Sequence, residues 1–234
     1  MNRIPIIGIP GWKTSDTGFG ITISYLEFLS RYGIVKILSL SDQIDESLDL
    51  LVIPGGPDVN PLRYGAIPLF TTTKPDLAKE YFDTIVLPKY IENGTPVFGI
   101  CRGIQTIAVL FGARLVQHMK FHDTNDPNDR AKGIHVICVL DSKFSDEMRS
   151  NSKHSSVITT KVNSLHHQCV SGIDFPACLE IVAAHKNKSG DVIEAIQHKK
   201  LPIMAVQYHP EEMGHEFLSD YMIRTLIKKS KNYA

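Results

Sequence analysis

The 234-residue chain contains no run approaching the ~18 apolar residues that a membrane-spanning helix needs, and its start, Met1-Asn2-Arg3-Ile4-Pro5, lacks the apolar stretch of a signal peptide. Neither sign of charge is in surplus: 25 Lys and Arg balance 25 Asp and Glu, and no like-charge block exceeds a few residues. Nothing in this balance recruits nucleic acid or an anionic membrane, so a small-molecule partner is expected. The four cysteines, at positions 101, 138, 169 and 178, show no C-x-x-C spacing, and a reducing cytoplasm is the expected setting. Also missing are a Gly-Lys-Ser/Thr phosphate loop, an H-E-x-x-H zinc motif, internal repeats and low-complexity segments. What remains, with 43% hydrophobic residues, suits one large domain spanning residues 1–234.

Short apolar runs at 5–9, 34–38 and 48–53 alternate with an amphipathic stretch at 21–32, the rhythm of a parallel sheet covered by helices. Residues 76–93 read as a further helix that buries Leu77, Tyr81, Ile85 and Tyr90, is kinked by Pro88 and is stopped by Asn93-Gly94. After the strand 97–100, Ile104, Ile107, Ala108 and Phe111 recur at helical spacing and Gly112 ends the element. The second half reads as strands at 114–117, 134–140, 179–184, 192–197 and 203–208 separated by turns. These should extend the sheet with antiparallel or mixed pairing. Residues 121–132 and 142–160 read as polar loops, mobile or substrate-facing, and 216–229 as a closing helix with Phe217, Tyr221 and Leu226 on its apolar face.

Three segments carry chemistry. In Val97-Phe98-Gly99-Ile100-Cys101-Arg102-Gly103-Ile104-Gln105, an apolar strand turns at once into a helix, so Cys101 sits at the apex of a sharp turn with glycines two residues to either side. A thiol there faces unpaired N–H groups at a helix start, which favour thiolate. The competing reading is a small buried core cysteine. In Ala205-Val206-Gln207-Tyr208-His209-Pro210-Glu211, a second apolar strand delivers His209 at its C-terminal end, with Glu211 two residues on to fix its tautomer. In Leu51-Val52-Ile53-Pro54-Gly55-Gly56-Pro57, a third strand runs into a glycine turn. The N–H groups of Gly56 and Arg102 are expected to form an oxyanion hole, where one preorganised donor is worth ~3 kcal/mol of barrier.

Cys101, His209 and Glu211, together with Pro54-Gly55-Gly56, resemble the class I glutamine amidotransferase-like superfamily, in which G-x-C-x-G-x-Q and a later H-P-E carry a Cys-His-Glu triad. Pro54 to Pro61 with Tyr64-Gly65, and Val162-Asn163-Ser164-Leu165-His166-His167-Gln168, are similar to the branch that contains gamma-glutamyl-gamma-aminobutyrate hydrolases. The resemblance implies an α/β fold of flavodoxin-like three-layer type, a mostly parallel central sheet flanked by helices with antiparallel strands added in the second half. It also implies a cleft for a γ-glutamyl group, recognised by Gln105, Ser164, His166 and Gln168. Two positions depart from the branch: Tyr208 stands where tryptophan is frequent, and Lys79-Glu80 where an Arg-Asp pair usually opens the helix.

The first reading is accordingly a cysteine hydrolase that cleaves a small γ-glutamyl amide through a γ-glutamyl thioester, releasing glutamate and an amine, with no cofactor or metal. An alternative is a glutaminase component that supplies ammonia to a separate synthetase; a homodimer is compatible with either. Metal hydrolysis is prompted by ten histidines, among them His118, His122, His135, His166 and His167, but histidine density without ligand spacing argues for it only weakly.

Overall fold

In the computed structural model, residues 3–39, 41, 43–120, 122, 124, 126–140, 158–188, 190–214 and 216–231 are described. The chain runs β1 (Ile6–Pro10), β2 (Trp12–Lys13), β3 (Phe19–Gly20), α1 (Ile23–Leu29), β4 (Ile34–Leu38), β5 (Leu50–Ile53), α2 (Leu77–Tyr81), α3 (Leu87–Glu92), β6 (Val97–Ile100) and α4 (Arg102–Leu110). There follow β7 (Leu115–Val116), β8 (His135–Val139), β9 (Ile158–Val162), β10 (Cys169–Val170), β11 (Leu179–Asn187), β12 (Gly190–His198), β13 (Ile203–Val206) and α5 (Phe217–Lys228). Nine strands form one sheet in the order β4-β1-β5-β6-β13-β12-β11-β8-β9. The first five are parallel and the last four antiparallel, as the shift from helix-separated to turn-separated strands foretells.

The parallel strands are apolar on both faces because helices cover both. Along β5, Leu50 and Val52 join Tyr25 and Phe28 of α1 and Leu218, Met222 and Ile223 of α5, whereas Leu51 and Ile53 meet Val86, Leu87 and Tyr90 of the α2–α3 rod and Ile104 and Ile107 of α4. Alternating side chains thus join one strand to two cores. Each fully buried Leu or Ile contributes ~1.5–3 kcal/mol relative to an exposed one, so this double use fixes the register firmly.

Three expectations need correction. The 76–93 segment is two α-helices joined by a π-helical turn, Phe82–Val86, whose Leu87 N–H reaches back to the Phe82 carbonyl. Pro88 lacks the N–H that would continue an unbroken ladder, so the strain is absorbed as this turn before it rather than as a simple kink. The turn moves the buried face to Phe82, Val86, Leu87 and Tyr90; Leu77, Tyr81 and Ile85 are exposed. In α5 the core face is Leu218, Met222, Ile223, Leu226 and Ile227, with Phe217 at the edge. Ile158 to Thr160, assigned to a loop, begins β9; residues 142–157 of that loop lie outside the described residues.

Candidate active site

Strands β5, β6 and β13 are adjacent and parallel, so their C-terminal ends bring the Gly55-Gly56 turn, Cys101 and the His209 segment to one edge of the sheet. Cys101 takes φ 53° and ψ −104°, a conformation that costs an L-residue of order 1–3 kcal/mol. The turn holds because Cys101 N–H donates to the Val206 carbonyl at 2.9 Å and because α4 packs directly on β5. A Cβ on Gly103 would stand 2.3 Å from the Ile53 carbonyl oxygen, so only glycine permits that approach.

The Cys101 thiol and the His209 imidazole come together at this edge. Both flank Gly55, where an added Cβ would lie 2.8 Å from His209 Cε1 and 3.6 Å from Cys101 Cβ. His209 Nδ1 is 2.6 Å from Glu211 Oε1. Burial pulls the imidazole pKa down, but the Cys101 and Glu211 charges beside it outweigh burial and hold it well above the ordinary histidine value. The arrangement therefore favours the protonated imidazolium of His209.

Three residues without an assigned role support this geometry. Asn163, fully buried, clasps the His209 backbone: its Oδ1 accepts from His209 N–H at 2.8 Å and its Nδ2 donates to the His209 carbonyl at 3.0 Å. Gln207 directs Nε2 at the Cys101 sulfur across 3.8 Å. The Tyr25 hydroxyl accepts from Gly55 N–H at 2.9 Å, and burial together with the Glu211 charge pushes its phenol pKa up. A polar Gln207 within the apolar run 203–208 was the legible signal; Tyr25 looked like any core aromatic of α1.

A cavity of about 180 Å³ opens over Cys101, walled by Gly56, Arg102, Gln105, His166, Gln168 and their neighbours. Gly56 and Arg102 thus border the same space as the thiol, and Arg102 begins α4, where backbone N–H groups have no helical acceptor. The Arg102 side chain points elsewhere, into a buried set with Glu80 at 3.0 Å, Asp83 and Thr106. Lys79 donates to the Gly55 carbonyl at 3.2 Å and lies over the Trp12 ring, with burial and Arg102 lowering its pKa to about 8. Lys79-Glu80 therefore secures both the glycine turn and the start of α4. Tyr208 has a comparable use: its hydroxyl donates to Glu216 at 2.7 Å, and Glu216 caps α5.

The four residues expected to recognise substrate are placed differently. Gln168 is buried at the cavity wall and, among the described residues, neither its Nε2 nor its Oε1 has a hydrogen-bond partner. Gln105 reaches the wall but donates to the Gln168 carbonyl at 3.1 Å and to Gln207 Oε1 at 3.3 Å. Both ring nitrogens of His166 are engaged within the protein, Nδ1 with the Gln168 carbonyl at 3.0 Å and Nε2 with His122 Nε2 at 3.4 Å. Burial and neighbouring histidines hold its pKa well below the usual value. Ser164 is not among the residues lining the cavity; its Oγ lies 2.8 Å from His122 Nε2. No helix among the described residues is long and apolar enough to cross a membrane.

Comparison with known proteins agrees with this architecture. The chain is 30% identical over 169 residues to a glutamine amidotransferase-like protein of Lactococcus lactis subsp. lactis, covering 70% of this chain and 66% of that one. It is 30% identical over 141 residues to anthranilate synthase component 2 of Pseudomonas putida, covering 56% and 61%. PurLQS from Thermotoga maritima superposes with a TM-score of 0.60 over 99% of both chains at 15% identity, the same flavodoxin-like fold with added antiparallel strands. The profile of Peptidase C26 matches residues 33–211, and the chain belongs to that family, a hydrolase-type member of the class I glutamine amidotransferase-like superfamily.

Proposed function

We propose that the protein hydrolyses the γ-glutamyl amide bond of a small γ-glutamyl compound, with Cys101, His209 and Glu211 as its catalytic triad. The Cys101 thiolate attacks the side-chain carbonyl carbon, forming the C–S bond, while the developing oxyanion is met by the N–H groups of Gly56 and Arg102. The imidazolium of His209 gives its proton to the leaving nitrogen as the C–N bond breaks, leaving a γ-glutamyl thioester and a free amine. Neutral His209 then takes a proton from water, whose oxygen attacks the thioester; collapse releases glutamate and restores the thiolate. Glu211 holds the imidazole tautomer throughout.

The observation that carries this reading is a strained cysteine and an imidazole flanking Gly55 beneath a cavity of about 180 Å³, whose wall presents a buried carboxamide, Gln168, without a hydrogen-bond partner among the described residues. A zwitterionic glutamyl head needs a donor and an acceptor together, and a carboxamide supplies both without a fixed charge. The test is turnover of a panel comprising glutamine and N-substituted γ-glutamyl amides, with released amines identified by mass spectrometry. Preference for substituted amides by the isolated protein supports the reading; absence of turnover on every γ-glutamyl amide contradicts it.

A second reading, a glutaminase component acting with a synthetase, is favoured by the likeness to anthranilate synthase component 2. It is also favoured by an apolar face on the segment beside the glycine turn, where Leu62, Ile67, Phe70 and Leu77 are all exposed and Asp58 and Thr73 bond reciprocally. Glutamine hydrolysis that appears only when a partner is added would promote it.

A further inference from the structure

Behind the cavity wall, five side chains from three strands and two loops converge. His122 comes from the β7–β8 connection, His135 from β8, His166 from the segment before β10, His185 from β11 and Glu194 from the middle of β12. The ligand-capable atoms of His122, His166 and Glu194 all lie within 4.8 Å of one another, as do those of His122, His135 and His185. Glu194 is fully buried, and among the described residues neither carboxylate oxygen has a hydrogen-bond partner; the same holds for both ring nitrogens of buried His135. Its Nε2 stands 3.0 Å from Glu194 Oε1, yet out of hydrogen-bond alignment. A buried carboxylate left in this condition calls for a cation.

The tautomer of His166 points the same way. His166 Nδ1 lies 3.0 Å from the Gln168 carbonyl oxygen and His185 Nδ1 lies 2.9 Å from that of Val136. A carbonyl only accepts, so each Nδ1 carries the proton and each Nε2 keeps a lone pair. This is how metal-ligating histidines are oriented by a backbone partner. Zn²⁺ bound tetrahedrally at about 2.0–2.1 Å holds its ligand atoms about 3.3 Å apart. His122 Nε2 and His166 Nε2 are 3.4 Å apart, and a ligand atom of Glu194 completes the triad within 4.8 Å.

We propose that this cluster binds one zinc-like divalent cation through His122, His166 and Glu194, with His135 beside the carboxylate at 3.0 Å and His185 stacked against the His135 ring at 4.3 Å. Two imidazoles and one carboxylate suit a late first-row metal rather than calcium or magnesium. The cation offsets the charge of Glu194 and ties the segment carrying Asn163 and Gln168 to β12. It does not touch the reacting atoms.

The test uses the full chain without a polyhistidine tag, in a Cys101→Ala background so that no thiolate competes. After equilibrium dialysis against micromolar ZnCl₂, elemental analysis should find one zinc per chain. Co²⁺ in its place should give the intense visible absorption of a tetrahedral site. A His122→Ala/Glu194→Gln double variant should weaken uptake by roughly a hundredfold or more. A His118→Ala/His167→Ala variant, which removes the neighbouring histidine pair, should bind as the parent does. Failure of the folded parent to take up either metal overturns the proposal, as does uptake that survives the first double variant or disappears in the second. If the first double variant does not fold, the cobalt spectrum of the parent decides alone.

Discussion

Two buried polar clusters lie side by side in this protein, and they are finished to different degrees. Around Cys101 the key groups meet partners of the chain's own making: His209 has Glu211, Asn163 and the thiol, and Gly55 has Tyr25 and Lys79. Around Glu194 the geometry converges but the carboxylate and His135 lack aligned partners among the described residues. The first cluster is held by protein groups, whereas the second is the one proposed to bind a cation. His166 belongs to both, lining the cavity while one ring nitrogen faces His122.

The largest effect should come from removing the sulfur. Cys101→Ala should lower kcat/KM by roughly four orders of magnitude or more, while thermal unfolding shows a folded protein, since little packing depends on the thiol. Next, Glu211→Gln should reduce kcat by about a hundredfold, because the imidazole loses its orienting charge but not its contact with Cys101. That loss should fall on kcat, with KM little changed. Asn163→Ala should cost about 1–3 kcal/mol of stability, read by denaturant unfolding, since it leaves buried His209 backbone groups unpaired. It should also lower kcat, by roughly tenfold.

Two smaller effects concern protons. By NMR, the His209 imidazole of the wild type should remain protonated at pH 7, and Cys101→Ala should move its midpoint down because the first of two raising charges is gone. A histidine pKa raised on folding stabilises the fold fully below its unfolded value of about 6.5, and that contribution fades as pH climbs through the folded value. Lys79 has the opposite sign. Its pKa falls from 10.5 to about 8 on folding, so the folded protein sheds the proton first, and wild type should gain stability over Lys79→Met as pH rises between those values.

Much of the candidate site was legible because its signals are local. A strand that ends in G-x-C-x-G, a strand that ends in H-P-E and a strand that ends in two glycines each declare a turn at a sheet edge, and parallel pairing does the rest. The supporting contacts were not, because Tyr25, Asn163 and Lys79 meet the site across 30, 46 and 24 residues of sequence. The reading of 76–93 failed on periodicity: a π-turn inserts an extra residue, so a face chosen at 3.6 residues per turn slides off the core. The histidine cluster was invisible as a motif for the same reason as the supporting contacts. Its ligands lie on three separate segments with no short spacing, and only the folded arrangement of the sheet brings them together.

The covalent step can be put to the test most directly by rapid-quench intact-mass analysis of the wild type during turnover of a γ-glutamyl amide. A transient adduct of one glutamyl acyl group, mapped to Cys101 and absent from Cys101→Ala, is the predicted result. Steady release of amine by Cys101→Ala at the wild-type rate would contradict the account.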